Sequence, residues 1–259
     1  MDLRETIALV TGAGSGIGAA AALALAREGA DVIVVSRTPE EIERVALKIE
    51  AMGRRALALA ADVADEKQMT RLFGRIAKRF GRLDFVFANA GINGVWAPID
   101  QLKPAEWDET IRINLRGTYL TAHHAVPLMK KAGGSIAITS SINGTRTFTS
   151  AGASAYATTK AGQLALGQML ALELARYKIR VNVICPGAIG TEIGDNTKKR
   201  ATAKAKVPAK FAKGTVPLTG GKAGTAQEVA ELAVFLASDR SKHISGTPIW
   251  IDGAQSLLV

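Results

Sequence analysis

This 259-residue chain has one cysteine, three histidines and only 5% aromatic residues. A single thiol excludes an internal disulfide and any multi-cysteine metal centre. Cys185 ends the apolar run Val181-Asn182-Val183-Ile184-Cys185, which predicts a buried structural thiol rather than a nucleophile. His123 and His124 fall in a helical pattern with no partner cluster, so packing or surface roles are expected, and no metal site. No apolar run approaches the ~18 residues of a membrane span, so no membrane partner is expected. The charged start Met1-Asp2-Leu3-Arg4-Glu5 passes straight into a short apolar run. That pattern predicts no signal peptide and a cytoplasmic location.

What is present is aliphatic and basic. Hydrophobic residues make up 47% of the chain, and with so few aromatics they are mainly Val, Ile, Leu and Ala. That suits a parallel sheet covered by helices. The net charge is +10, yet Lys198, Lys199, Arg200, Lys204, Lys206, Lys210 and Lys213 supply seven charges within sixteen residues, with no acid among them. The remainder carries about +3. Single-stranded nucleic acid would call for interleaved aromatics, and only Phe211 lies in this segment, so no nucleic-acid partner is expected.

Strand candidates are Ile7–Thr11, Asp31–Ser36, Ala56–Ala60, Phe85–Ala88, Ser135–Thr139, Arg180–Ile184 and Pro248–Ile251. Helical patterns fall between them at about 17–29, 39–52, 66–80, 104–131, 156–177 and 225–238. Strict β/α alternation predicts an α/β fold, a single doubly wound parallel sheet of about seven strands with helices on both faces, spanning residues 1–259 as one domain. Thr38-Pro39-Glu40-Glu41 and Thr225-Ala226-Gln227-Glu228 have the form of capping boxes. The stretch from Gly187 to Gly224 is irregular, and loops of that length inside a compact domain are usually functional or disordered.

Thr11-Gly12-Ala13-Gly14-Ser15-Gly16-Ile17-Gly18 follows the first strand and opens the first helix. Glycines there permit a tight turn and a close backbone approach to a pyrophosphate, whose charge the free N–H groups of a helix start favour. Gly12, Ser15, Gly16, Ile17 and Gly18 are therefore candidate dinucleotide contacts. Folds selective for NAD place an acid about 20 residues further on. Here Ser36-Arg37-Thr38 stands instead, and Arg37 suits a 2′-phosphate, so NADP(H) is the expected cofactor, with NAD(H) as the alternative. Asp62-Val63 after the third strand could meet the adenine, and Asn89-Ala90-Gly91 after the fourth would let the backbone pass close to the cofactor.

Tyr156 and Lys160 lie one helical turn apart on one face. An ammonium so placed can lower a phenol's pKa from ~10 by roughly 1–3 units, toward the range of general acid–base work. Taken alone, Tyr and Lys at this spacing are equally a solvated helix face.

With the glycine run, Asn89-Ala90-Gly91, Asn114, Ser140-Ser141, Tyr156…Lys160 and Pro186-Gly187 in this order, the chain resembles the short-chain dehydrogenase/reductase family, along essentially its whole length. The resemblance implies a Rossmann fold and hydride transfer between NADP(H) and a carbonyl or secondary alcohol. It makes Tyr156 the acid/base, and Lys160 its activator and a partner of the nicotinamide ribose. Asn114 would hold a relay water, and Ser141 would hydrogen-bond the substrate oxygen. Ser141 is preferred to Ser140 because Gly144 stands three residues after it. Pro186, Gly187 and Thr191 would face the nicotinamide. The irregular stretch becomes a basic substrate lid at about 190–222, which either selects anionic substrates or is merely kept soluble by its lysines. Trp96, Trp107 and Glu192 could contact substrate, though packing explains the tryptophans equally well. A 3-oxoacyl-(acyl-carrier-protein) or acyl-CoA thioester reductase is the alternative, weakened because the family's two carrier-anchoring arginines align with Ala132 and Leu172; Lys130, Lys131 and Arg176 lie near. A non-catalytic NADP-binding sensor is a further alternative, although the catalytic set is intact. The family also implies a homotetramer built on the two long helices, with Ala161, Ala165 and Leu172 as candidate contacts.

Overall fold

The computed structural model describes residues 2–194, 197–206 and 216–258. Lys210, Phe211 and Lys213 of the basic segment lie outside the described residues. Seven parallel strands form one sheet: β1 (Ile7–Thr11), β2 (Asp31–Ser36), β3 (Ala56–Ala60), β4 (Phe85–Ala88), β5 (Gly134–Thr139), β6 (Ile179–Pro186) and β7 (Pro248–Ile251). Their order across the sheet is β7-β6-β5-β4-β1-β2-β3. β1 and β2 are buried almost throughout, as strands covered on both faces must be.

The helices are α1 (Gly16–Arg27), α2 (Pro39–Glu50), α3 (Glu66–Phe80), α4 (Pro104–Ile111), α5 (Gly117–Met129), α6 (Ser154–Leu174) and α7 (Ala226–Ala237). One apolar core joins the sheet to α1, α2 and α7, the other to α3, α5 and α6. The strand order reverses between β1 and β4, and in such sheets ligands bind beyond the carboxyl ends of the strands at that point. Here those ends carry Gly12–Gly16, Ser36–Thr38, Asn89–Gly91, Ser140–Ser141 and Gly187–Thr191.

Two expectations need correction, and one cap goes beyond them. The expected helix at about 104–131 is broken: Arg112–Arg116 winds as a π-turn between α4 and α5. Asn114 at its centre is engaged sideways: its carbonyl oxygen accepts from the Gln163 side chain at 3.0 Å and from Thr118 Oγ1 at 2.7 Å. The capping box at Thr225–Glu228 forms, but Thr38 makes no side-chain cap. Ser36 Oγ already accepts from Thr38 N at 3.1 Å, so the Glu41 carboxylate turns to Gly14 instead. Finally, α3 is capped by Asp65, whose carboxylate accepts from Gln68 N at 2.9 Å, a cap the sequence did not flag.

Candidate active site

The strand ends and the start of α1 enclose a cleft of about 380 Å³ running from Ser36, Arg37, Thr38 and Asp62 to Tyr156, Lys160 and Thr191. Its centre is built by close packing. A Cβ on Gly18 would strike the Gly12 carbonyl, and one on Gly12 would lie 2.9 Å from Ala90 Cα, so helix, turn and β4 can meet only with small residues. Ser15 precedes α1 without capping it, which leaves the first-turn N–H groups facing the cleft with no acid among them. This is a cradle for a pyrophosphate, and the residues present fit a dinucleotide. Val63 packs against Gly117, and Thr191 sits over Gly16, 3.3 Å from where its Cβ would be.

At the ribose end no acid terminates β2. Arg37 and Thr38 are exposed, and the Arg37 charge reaches Asp62. Burial works to raise the Asp62 pKa. The Ala64 amide and an ion pair of 2.8 Å with Arg112 outweigh it and hold the carboxyl below its usual range. Arg112 leaves the π-turn to reach Asp62 and, on its other side, Glu109 at 2.6 Å. The sequence reading missed Arg112, and it missed Glu41 by assigning it to a cap.

Asn89 stitches neighbouring strands at the cleft: it donates to Thr11 O at 3.2 Å and accepts from Thr139 Oγ1 at 3.0 Å. Asn114 is fully buried. Its Oδ1 accepts from Ile92 N at 2.8 Å, and its Nδ2 donates to Ile92 O at 2.9 Å and to Thr159 Oγ1 at 3.1 Å. Asn114 Oδ1 and Lys160 Nζ both face Gly91, at 3.2 and 3.7 Å from its ideal Cβ position.

The two serines divide the work. Ser140 Oγ donates to Lys160 O at 2.7 Å and so ties α6 to the end of β5, whereas the Ser141 hydroxyl hydrogen-bonds the Tyr156 phenol. Gly144 explains the loop between them and α6. Its φ is +84°, and a Cβ there would collide with the Ala157 carbonyl, so only glycine lets the loop bring Ser141 beside Tyr156.

Lys160 is 4% exposed, donates to Thr139 O at 2.9 Å, and lies 5.4 Å from the centre of the Tyr156 ring. Burial takes its pKa down to about 7. Burial also raises the Tyr156 phenol, partly offset by the Ser141 hydrogen bond. Helical spacing alone gives the opposite expectation for the phenol, because spacing does not register the burial that raises Tyr156 and lowers Lys160. Cys185, behind Lys160, is buried as expected, and burial pushes its thiol up to about 11.

Above the site, Lys198–Lys199 pairs with Val95–Trp96. Lys199 Nζ lies 5.4 Å from the Trp96 ring centre, and Trp96 lies 6.4 Å from the Tyr156 ring. Arg200 is engaged by Glu106 at 2.7 Å and by Gln101 O, and its side-chain hydrogen bond is the largest effect holding the Glu106 carboxyl down at about 2. The described start of the basic stretch is therefore latched to α4. His124 stacks on Phe73 at 5.5 Å, a packing role. Glu192 lines the cleft.

A family model described as enoyl-(acyl carrier protein) reductase matches residues 12–254. Levodione reductase from Leifsonia aquatica is 36% identical over 256 residues, covering 97% of this chain and 94% of that protein. A crystal structure of a 3-ketoacyl-ACP reductase from Sinorhizobium meliloti 1021 is 57% identical, with a TM-score of 0.94 over 98% of this chain and 100% of that one. That of a 3-ketoacyl-(acyl-carrier-protein) reductase from Brucella melitensis, complexed with NADH, is 30% identical with a TM-score of 0.86, covering 98% and 100%. Joined to a cleft that fits a dinucleotide and ends at Ser141, Tyr156 and Lys160, these likenesses place the chain in the short-chain dehydrogenase/reductase family, as an NAD(P)-dependent oxidoreductase acting on alcohol or carbonyl groups.

Proposed function

We propose that this chain interconverts a ketone and a secondary alcohol, using NADP(H) in preference to NAD(H). The observation that carries the reading is the meeting of Ser141, Tyr156 and Lys160 at one end of the cleft, with Gly187 and Thr191 beside them. The residues at this end would hold a nicotinamide, which when bound would supply or accept the hydride. In reduction, the raised phenol of Tyr156 arrives protonated at neutral pH and gives its proton to the substrate oxygen. The Ser141 hydroxyl donates to the same oxygen as charge develops there. Lys160, with a pKa of about 7, exchanges protons readily at neutral pH and reprotonates Tyr156, aided by a water held near Asn114. Gly12, Ser15, Gly16 and Ile17 would hold the pyrophosphate, with Gly18 packed against Gly12 beneath them; Ser36, Arg37 and Thr38 would hold the ribose phosphate, and Asp62 and Val63 the adenine. Asn89, Ala90 and Gly91 line the middle of the cleft, and Pro186, Gly187 and Thr191 its nicotinamide end.

Arg37 supports the NADP(H) preference: it stands exposed where an NAD-selective fold places an acid. Lys198 and Lys199 are exposed beside Trp96 and support an anionic substrate, while Arg200 is committed to Glu106. The likeness to the Sinorhizobium protein supports an acyl thioester as the second reading. Against it, Leu172 stands at an anchor position, and Lys130 and Arg176 both rest on the Tyr177 ring at 4.8 Å. The outward positions Ala161, Ala165 and Leu172, with Met169 and Tyr119, support a homotetramer. Among the described residues no helix is long and apolar enough to cross a membrane.

The test is a panel of acetoacetyl thioester, carboxylated ketones and neutral cyclic ketones, each assayed with NADPH and NADH. Turnover of at least one carbonyl is expected, with kcat/KM about 10- to 100-fold higher for NADPH, the worth of one charge-assisted pair. Failure to turn over any member of the panel overturns the reading.

A further inference from the structure

The turn Pro186-Gly187-Ala188 is held largely by backbone. Pro186 O accepts from Ile142 N at 3.0 Å, Gly187 N donates to Ile251 O at 3.1 Å, and Ala188 O accepts from Gly224 N at 2.9 Å. Side-chain substitution cannot remove those bonds. A fourth comes from a side chain near the end of the chain: Ala188 N donates to Gln255 Oε1 at 2.7 Å.

The tail that carries Gln255 is itself preorganised. The Asp252 carboxylate accepts from Ala254 N at 3.1 Å and Ser256 N at 2.9 Å, and Asp252 O accepts from Gln255 N at 2.9 Å. Ala254 takes the left-handed conformation, φ +68°, which folds the chain back so that Gln255 meets the turn. The seat is tight. A Cβ on Gly187 would lie 2.6 Å from Gln255 Oε1 and 2.7 Å from Asp252 Cβ, so Gly187 is required by the tail as well as by any ligand. The same tail touches the other two movable walls of the site. Gly253 O accepts from Leu218 N at 3.1 Å, at the return of the lid. Ser256 Oγ accepts from Arg146 Nη1 at 3.5 Å, and Arg146 lies over the Trp250 ring at 3.5 Å, on the loop that follows Ser141.

We propose that Gln255 is a positioning residue, whose carbonyl fixes the Gly187–Ala188 peptide at the nicotinamide end of the cleft. This rests on the reading of that end as the nicotinamide site. Gln255 does not line the cleft; it acts through the turn. Removing the acceptor lets the peptide swing, because among the described residues Gln255 supplies its side-chain bond, and the nicotinamide end loosens while the adenosine end keeps its walls.

The experiment titrates NADPH and adenosine 2′,5′-bisphosphate by calorimetry into wild type, Gln255→Leu and Gln255→Glu. Gln255→Leu removes the acceptor at similar volume, and Gln255→Glu keeps an acceptor oxygen. Gln255→Leu is expected to weaken NADPH about 2- to 10-fold and leave the bisphosphate unchanged, with Gln255→Glu restoring the difference. In turnover, Gln255→Leu is expected to lower kcat roughly 10- to 100-fold, with a smaller effect on KM for the carbonyl. Equal weakening of both ligands, wild-type NADPH affinity and kcat in Gln255→Leu, or no restoration by Gln255→Glu overturns the proposal. The ratio of the two affinities is read within one sample, so a partly unfolded variant still decides it. A wild type that binds NADPH but reduces no carbonyl defeats the proposed reaction and leaves the affinity ratio to judge Gln255. A wild type that binds neither ligand defeats both.

Discussion

At the tyrosine end of the cleft Asn114 and Lys160 are almost wholly enclosed, and each has backbone partners, whereas at the ribose end Arg37 and Thr38 stand in solvent and Glu41 is half-buried against Gly14. The first region takes residues from β5, the π-turn, α6 and the turn after β6. The second is one strand end and the start of one helix. Enclosure makes the tyrosine end costly to change, because an unpaired polar group there keeps its full desolvation penalty. The ribose end is cheap to change, and its selectivity rests on a balance of exposed charges that water and salt weaken.

That contrast can be broken in four ways. Tyr156→Phe should lower turnover by roughly 100- to 10,000-fold while NADPH affinity stays within about twofold, since the phenyl ring keeps the packing against Trp96. Turnover near wild type would remove the mechanism and revive the non-catalytic reading. Lys160→Met should also abolish turnover, yet raise Tm at pH 6. The folded-state pKa of Lys160, about 7, lies below the unfolded value of 10.5, so the unfolded chain holds the extra proton between those limits. The group therefore opposes folding most strongly below pH 7. The gain from Lys160→Met should shrink by about 1.4 kcal/mol per pH unit above that, which thermal melts at pH 6, 8 and 9 would read. A gain that does not change with pH would show that Lys160 is not buried with a displaced pKa.

At the ribose end, Arg37→Asp should lower the NADPH/NADH ratio of kcat/KM about 10- to 100-fold, and Glu41→Gln should raise it by about 2- to 5-fold. The smaller effect reflects a half-buried carboxylate at the cleft wall that repels a 2′-phosphate without pairing with it. Ratios unmoved in both variants would mean that cofactor choice lies elsewhere. The smallest effect belongs to the lid. Replacing Lys198 and Lys199 by Ala should raise KM about twofold for carboxylated ketones and leave neutral ketones alone. Arg200→Ala should raise KM for both, because it frees the latch on Glu106. Equal effects of the lysine pair on both substrate classes would leave those charges as solubility.

Strand positions were legible because parallel strands buried on both faces read as continuous Val, Ile and Ala runs; five of the seven match to the residue. The glycine run and the Tyr156/Lys160 spacing were equally legible, since each is local. The π-turn was not. The 104–131 pattern is helical throughout, and its break follows from Gln163 and Ile92, distant partners of Asn114. Glu41 was misread for a related reason: a local cap signal lost to Ser36, which had already taken the Thr38 amide. Gln255 carried no signal, lying 67 residues from the Ala188 it holds.

The sequence by itself therefore determined the element order, the sheet type and the set of candidate site residues, all properties of short windows whose periodicity and chemistry travel with the residues. Only the tertiary structure decided how those groups are tuned. Whether the phenol of Tyr156 is lowered by Lys160 or raised by burial depends on how much protein surrounds both. That enclosure is assembled from strands, turns and a tail brought together from both ends of the chain.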